Sequence, residues 1–130
     1  MMRLRVVISL LGLDQHEMGA RIVATLLRDA GVEVVYLGKF NTPERIVSAC
    51  VQEAADVVGI SAHSWEYLEQ VPALLALLRE AELSTPVVVG GSVITPTDAD
   101  TLRACGVADV FGPDTQSASI VERIRALGAH

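Results

Sequence analysis

A chain of 130 residues, 51% of them hydrophobic, is long enough to bury one core and too short for two, so residues 1–130 are expected to form a single domain. No apolar run reaches the roughly 18 residues of a membrane-spanning helix, and the opening stretch, with Arg3 and Arg5, reads straight into a strand instead of a cleavable leader. A cytoplasmic protein without a membrane partner is expected. Sixteen acidic residues against ten Lys plus Arg give a net charge of −6, which no basic cluster reverses locally, and this argues against nucleic acid as a partner. Cys50 and Cys105 lack the paired spacing of a zinc or redox site and read as small core residues in a reducing compartment.

The first predicted element is a strand over residues 4–11, where Val6, Val7 and Ile8 lead an apolar, β-branched run closed by Gly12. Ile22, Val23, Leu26, Leu27 and Ala30 then share one helical face opposite Arg21, Thr25, Arg28 and Asp29, and Gly31 stops the helix. A second strand, 33–37, leads to a helix capped by Thr42, with Pro43 at its first position and Ile46, Val47, Cys50, Val51 and Ala54 as its buried stripe. Strand 57–61 precedes a helix over 68–81, strand 86–89 a short helix over 98–104, and strand 109–111 a last helix over 115–127. The last two helices end before Gly106 and Gly128. None of the strands alternates apolar with polar residues, which is the pattern of a parallel sheet covered on both faces.

Strict β-then-α alternation implies right-handed crossovers and an α/β fold: a flavodoxin-like, Rossmann-like, doubly wound five-stranded sheet in the order 2-1-3-4-5. In that order the chain reverses direction between strands one and three, and ligands bind in the crevice beyond their carboxyl ends. The loops after Leu11 and Ser61 are therefore expected to be neighbours.

The loop after the first strand reads Gly12-Leu13-Asp14-Gln15-His16-Glu17-Met18-Gly19 and brings a histidine flanked by carboxylates to that crevice. Imidazole binds a metal through one ring nitrogen while a carboxylate such as Asp14 accepts the N–H of the other, fixing the tautomer and strengthening the ligand. A solvated loop histidine accounts for the same residues equally well. No further ligands close a zinc or iron site around His16, so a metal there has to arrive in its own macrocycle. Gly19 and the pair Gly90-Gly91 let a bulky group approach the backbone, although paired glycines also make a tight strand-to-helix turn.

Together, Asp14-x-His16-x-x-Gly19, Ser61 after the third strand and Gly90-Gly91 after the fourth resemble the cobalamin-binding domain of the adenosylcobalamin-dependent mutases, over nearly the whole chain. Gly12-Leu13-Asp14, Leu27-Arg28-Asp29-Ala30-Gly31, Thr42-Pro43-Glu44 and Phe111-Gly112-Pro113 are most similar to the acyl-CoA mutase branch, which includes methylmalonyl-CoA and isobutyryl-CoA mutases. The resemblance implies adenosylcobalamin bound base-off, its dimethylbenzimidazole tail displaced from cobalt and His16 coordinating as the lower axial ligand. It implies that Asp14 orients His16 and that Gln15, Gly19, Ser61, His63, Gly90 and Gly91 belong to the cofactor site, Ser61 hydrogen-bonding the tail and the two glycines clearing its path. It also implies the small subunit of a carbon-skeleton isomerase, inactive alone and partnered by a large, substrate-binding barrel subunit.

Departures from the family pattern cluster at the same crevice. Gln15 stands where glycine is common, Glu17-Met18 where Asp-Arg is common, and His63 where the family has leucine, with Trp65 and Tyr67 following in place of smaller residues. They mark tail binding, the docking face, or both. His63 reads as a crevice-lining loop residue or a second catalytic group, and Trp65 as packing or a partner contact.

Two other functions keep the same cofactor site. A corrinoid methyl carrier usually brings an additional helical cap, for which five βα units in 130 residues leave no room. A cobalamin-binding sensor or storage module differs in its partner. A response-regulator domain shares the fold, but its acidic pair in the first loop and its lysine after the fifth strand do not stand here.

Overall fold

The computed structural model describes residues 3–11, 18–62, 66–112 and 115–129. Strands β1 (Arg5–Leu11), β2 (Glu33–Asn41), β3 (Val57–Ser61), β4 (Val87–Gly90) and β5 (Asp109–Phe111) alternate with helices α1 (Met18–Asp29), α2 (Pro43–Glu53), α3 (Tyr67–Glu80), α4 (Pro96–Cys105) and α5 (Ser117–Gly128). All neighbouring strands are parallel, in the order β2-β1-β3-β4-β5 that the alternation predicts.

Successive side chains of a strand point to opposite faces, and here both faces are apolar. Val7, Val58, Ile60, Val87 and Val89 pack with Ile46 of α2, Leu74 of α3 and Leu102 of α4. Val6, Ile8, Leu10, Val57 and Val88 pack with Ala20 and Leu27 of α1 and Ile124 of α5. Among the described residues, no helix is long and apolar enough to cross a membrane. Cys50 and Cys105 are free thiols; Cys50 is buried, and burial pushes its pKa up to about 11, which leaves it an inert core group.

Thr42 caps α2 as its sequence predicts, its hydroxyl accepting the Arg45 N–H at 3.2 Å. The same Thr-Pro device starts α4 two residues before the expected Asp98, with Thr95 accepting the Asp98 N–H at 3.1 Å and Pro96 following. A cap of this kind stabilises by about 1 kcal/mol. Two positions of the predicted α2 stripe lie outside the core. Val51 is exposed because it stands one helical step, roughly 100°, round from buried Cys50, and Ala54 forms the left-handed cap at φ 51. Ile22 is likewise exposed, the core side of α1 being Ala20, Ala24 and Leu27.

Strand β2 runs four residues past the expected end at Leu37. Its pairing with β1 jumps from Ile8↔Tyr36 to Ser9↔Gly38 to Leu11↔Asn41, with Gly38 at φ 74 and Phe40 at φ 63. Such bulges remove ladder bonds. Buried Asn41 supplies substitutes, its Nδ2 donating to the carbonyls of Leu37 at 3.2 Å and Gly38 at 2.9 Å.

Candidate functional site

At the carboxyl ends of the central strands, Leu10 pairs with Ser61, Ser61 with Gly90, and Gly90 with Phe111, one row across the sheet. The segments that follow Leu11 and Ser61 thus leave adjacent strands, as the topology requires. Pairing continues past β3 and β4, with Ala62 N–H donating to the Gly90 carbonyl at 2.7 Å and Gly91 N–H to the Phe111 carbonyl at 3.1 Å.

The side of the sheet facing α1 and α5 is notched. Strand alternation puts Val57, Gly59 and Ser61 of β3 and Val88 and Gly90 of β4 on that side, so side-chain bulk vanishes toward the carboxyl end. The opposite side keeps Val58, Ile60, Val87 and Val89. A cavity of about 280 Å³ lies in the notch, lined by Ile8, Gly59, Ser61, Val88 and Gly90 of the sheet, Gly19, Ile22 and Val23 of α1, and Ser117, Ile120 and Ile124 of α5. An apolar cavity of roughly 150 Å³ already accepts a benzene ring. This one has room for a larger apolar group, and Ser61, Ser92 and Ser117 are the serines of its lining.

Gly59, Gly90 and Gly91, the glycines of β3, β4 and the residue after it, act differently. A Cβ on Gly59 would stand 2.8 Å from Ile8 Cδ1, too close for both to keep their places, so the missing side chain lets Ile8 lie against β3 and leaves the cavity beyond it open. A Cβ on Gly90 would meet Phe111 Cβ at 3.4 Å, an ordinary contact. On Gly91 it would fall 1.6 Å from the Ala62 carbonyl oxygen. The sequence reading assigns Gly90 and Gly91 alike to ligand clearance, whereas the close approach of Ala62 demands glycine at position 91 with no ligand involved. Gly91→Ala is expected to cost about 3 kcal/mol in folding, measured by chemical denaturation of the cofactor-free chain. Gly90→Ala should leave the midpoint nearly unchanged.

Of the residues singled out in the sequence, Gly19, Ser61, Gly90 and Gly91 come together around this cavity. Asp14, Gln15, His16 and His63, and also Trp65, lie outside the described residues; residues 12–17 join β1 to α1, and 63–65 precede α3. Among the described residues, no group of three or more His, Cys, Asp and Glu is placed to hold a metal ion.

Tyr67, one of the departures expected to mark tail binding, the docking face, or both, is buried with 3% exposure, and its hydroxyl donates to Asp98 Oδ2 at 2.8 Å, tying α3 to α4. Burial and the neighbouring carboxylate push its pKa up to about 12. The unfolded chain loses this proton near pH 10 and the folded chain near 12. The stability this group contributes is therefore complete below pH 10 and lost between 10 and 12. An alkaline unfolding series should show that extra loss in the parent and not in Tyr67→Phe.

Sequence reasoning missed Gly59, Ile8, Val23 and Ile120. The available signal was the spacing Gly59-x-Ser61, which puts two small residues on one face of a strand whose other residues are Val and Ile.

A notched, apolar cavity at the carboxyl ends of the strands stands where doubly wound sheets take their ligands. The B12 binding domain family matches residues 4–122, and the chain belongs to that family. It is 39% identical over 126 residues to the 2-hydroxyisobutanoyl-CoA mutase small subunit of Aquincola tertiaricarbonis, covering 97% of this chain and 93% of that one. It is 42% identical over 125 residues to the pivalyl-CoA mutase small subunit of Xanthobacter autotrophicus, covering 96% and 84%. A cobalamin-binding protein from Desulfitobacterium hafniense has the same fold, with a TM-score of 0.84 at 22% identity over 96% of this chain and 59% of that one. Within its family the chain is of the cobalamin-binding, acyl-CoA mutase small-subunit type.

Proposed function

We propose that this chain holds adenosylcobalamin base-off, with His16 as the lower axial ligand of cobalt, as the small subunit of an acyl-CoA mutase whose large subunit is a substrate-binding barrel. The observation that carries the reading is the notched apolar cavity. Strand β1 gives it Ile8, helix α1 gives it Gly19, Ile22 and Val23, and residue 16 lies in the segment that joins these two elements.

Ile8, Val88, Ile120 and Ile124 would hold the aromatic tail by apolar contact, Gly59 and Gly90 would leave it volume, and the Ser61 hydroxyl would hydrogen-bond it. Asp14 would orient His16 by accepting its second ring N–H. Gln15 and His63 belong to the same site. Bound adenosylcobalamin supplies a cobalt–carbon bond whose homolysis starts a radical rearrangement. The chain's own residues bind and orient the cofactor and keep water from its lower side. The acyl-CoA is held by the large subunit. Two free cysteines and a net charge of −6 accord with a cytoplasmic setting and with no nucleic-acid partner.

Reconstitution tests this. The purified chain loaded with adenosylcobalamin is expected to rearrange no acyl-CoA alone and to confer activity on the large mutase subunit purified from the same cells. A rearranged product formed by the loaded chain alone, or by the large subunit without it, contradicts the reading.

A further inference from the structure

Five large hydrophobic side chains are exposed among the described residues, and four of them stand at the carboxyl end of the sheet. They are Ile22 in the second turn of α1, Phe40 near the end of β2, Leu68 in the first turn of α3, and Val93 between β4 and α4. The amino end is polar instead, with the Arg5 guanidinium donating to Glu33 at 2.7 and 2.9 Å and Asp56 accepting the Arg5 N–H at 2.8 Å.

Phe40 differs from the other three. Its φ of 63 lies in the left-handed region, where a bulky residue is a genuine outlier and glycine is unstrained. The segment is held there by Gly38 at φ 74 and by the two buried hydrogen bonds of Asn41, while the Lys39 ammonium sits 5.7 Å from the ring centre. The outcome of this strain is an aromatic side chain 54% exposed to water. Strain of this kind persists only where the surrounding structure imposes it, and it concentrates at functional sites. An aromatic ring on a fixed backbone loses little freedom when a partner covers it, and such rings dominate the energetics of protein interfaces.

We propose that Phe40 is an anchor for the large, substrate-binding subunit, outside the cofactor cavity and beside it. The inference rests on the reading of the site given above. Asn41 pairs with Leu11, the last residue of β1, so Phe40 stands at the carboxyl end of the sheet's edge strand. A subunit that closes over the cofactor from this end meets Phe40, Leu68 and Val93, which follow or end different strands at that end. The two relatives of nearly equal length are both small subunits, so a large protein is the occupant the kinship supports.

The test is Phe40→Gly in the full chain, a change that removes the ring and relieves the strain together. The variant is expected to melt no lower than the parent and to bind adenosylcobalamin as tightly. The chain concentration needed for half-maximal activity with a fixed amount of large subunit should rise about 30-fold, and Phe40→Tyr should stay near the parent value. An unchanged half-maximal concentration for Phe40→Gly overturns the proposal. So does an equal loss of cobalamin affinity by the isolated variant, which would make Phe40 a cofactor contact. Absence of activity in the parent mixture defeats the reading of the site itself, and that control separates the two failures.

Discussion

Gly59→Val is expected to lower cobalamin affinity by about 5- to 150-fold while leaving unchanged the affinity for cobinamide, the corrinoid that lacks the nucleotide tail. The first added carbon would stand 2.8 Å from Ile8 Cδ1, so that methyl has to swing into the cavity of about 280 Å³ to admit it. Extra methyl groups forced against a seated ligand cost about 1–3 kcal/mol, which is the stated range in affinity. Because the atom that moves is the far end of a flexible side chain with empty space beside it, folding stability should fall less than cobalamin affinity does. Isothermal titration with both corrinoids reads the difference. Equal losses for the two would show that position 59 acts through the backbone and that the tail lies elsewhere.

The second large effect concerns the ligand itself. His16→Ala should remove the protein's nitrogen ligand from cobalt, and Asp14→Asn should weaken binding by about 10- to 100-fold, the usual effect of removing the partner that orients a metal-bound imidazole. Visible absorption separates cobalt that has a nitrogen donor from cobalt that has none, and cobinamide, which carries no benzimidazole, makes that donor the protein's own. A nitrogen-ligated spectrum for cobinamide bound to His16→Ala would remove His16 from the metal site.

The sheet was legible because its strands are β-branched apolar runs and because Thr42-Pro43 starts one helix while Gly31 and Gly106 stop two others. Strand β2 was read short because Gly38, Lys39 and Asn41 have the composition of a loop. What keeps them in the sheet is the side chain of Asn41 bonding back to Leu37 and Gly38, a contact that no local pattern announces. Gly90 and Gly91 were indistinguishable in sequence, yet the pleat turns them to opposite sides, one toward the cavity and the other onto Ala62. Gly59 looked like one small residue in an apolar run. Only the pairing of Ser61 with Gly90 shows that small residues of two strands line up into a notch. Tyr67 stood out only as a departure from the family pattern at the crevice, and its bond to Asp98, 31 residues on, is again a tertiary fact.

Electron paramagnetic resonance of the Co(II) form, with the chain labelled by ¹⁵N-histidine, tests the central claim most directly. A base-off cofactor held by His16 predicts one strongly coupled nitrogen whose splitting changes from the ¹⁴N to the ¹⁵N pattern on labelling and disappears in His16→Ala. A coupling that is indifferent to the label would mean that the cofactor's own benzimidazole still binds cobalt, and the account of this site would be wrong.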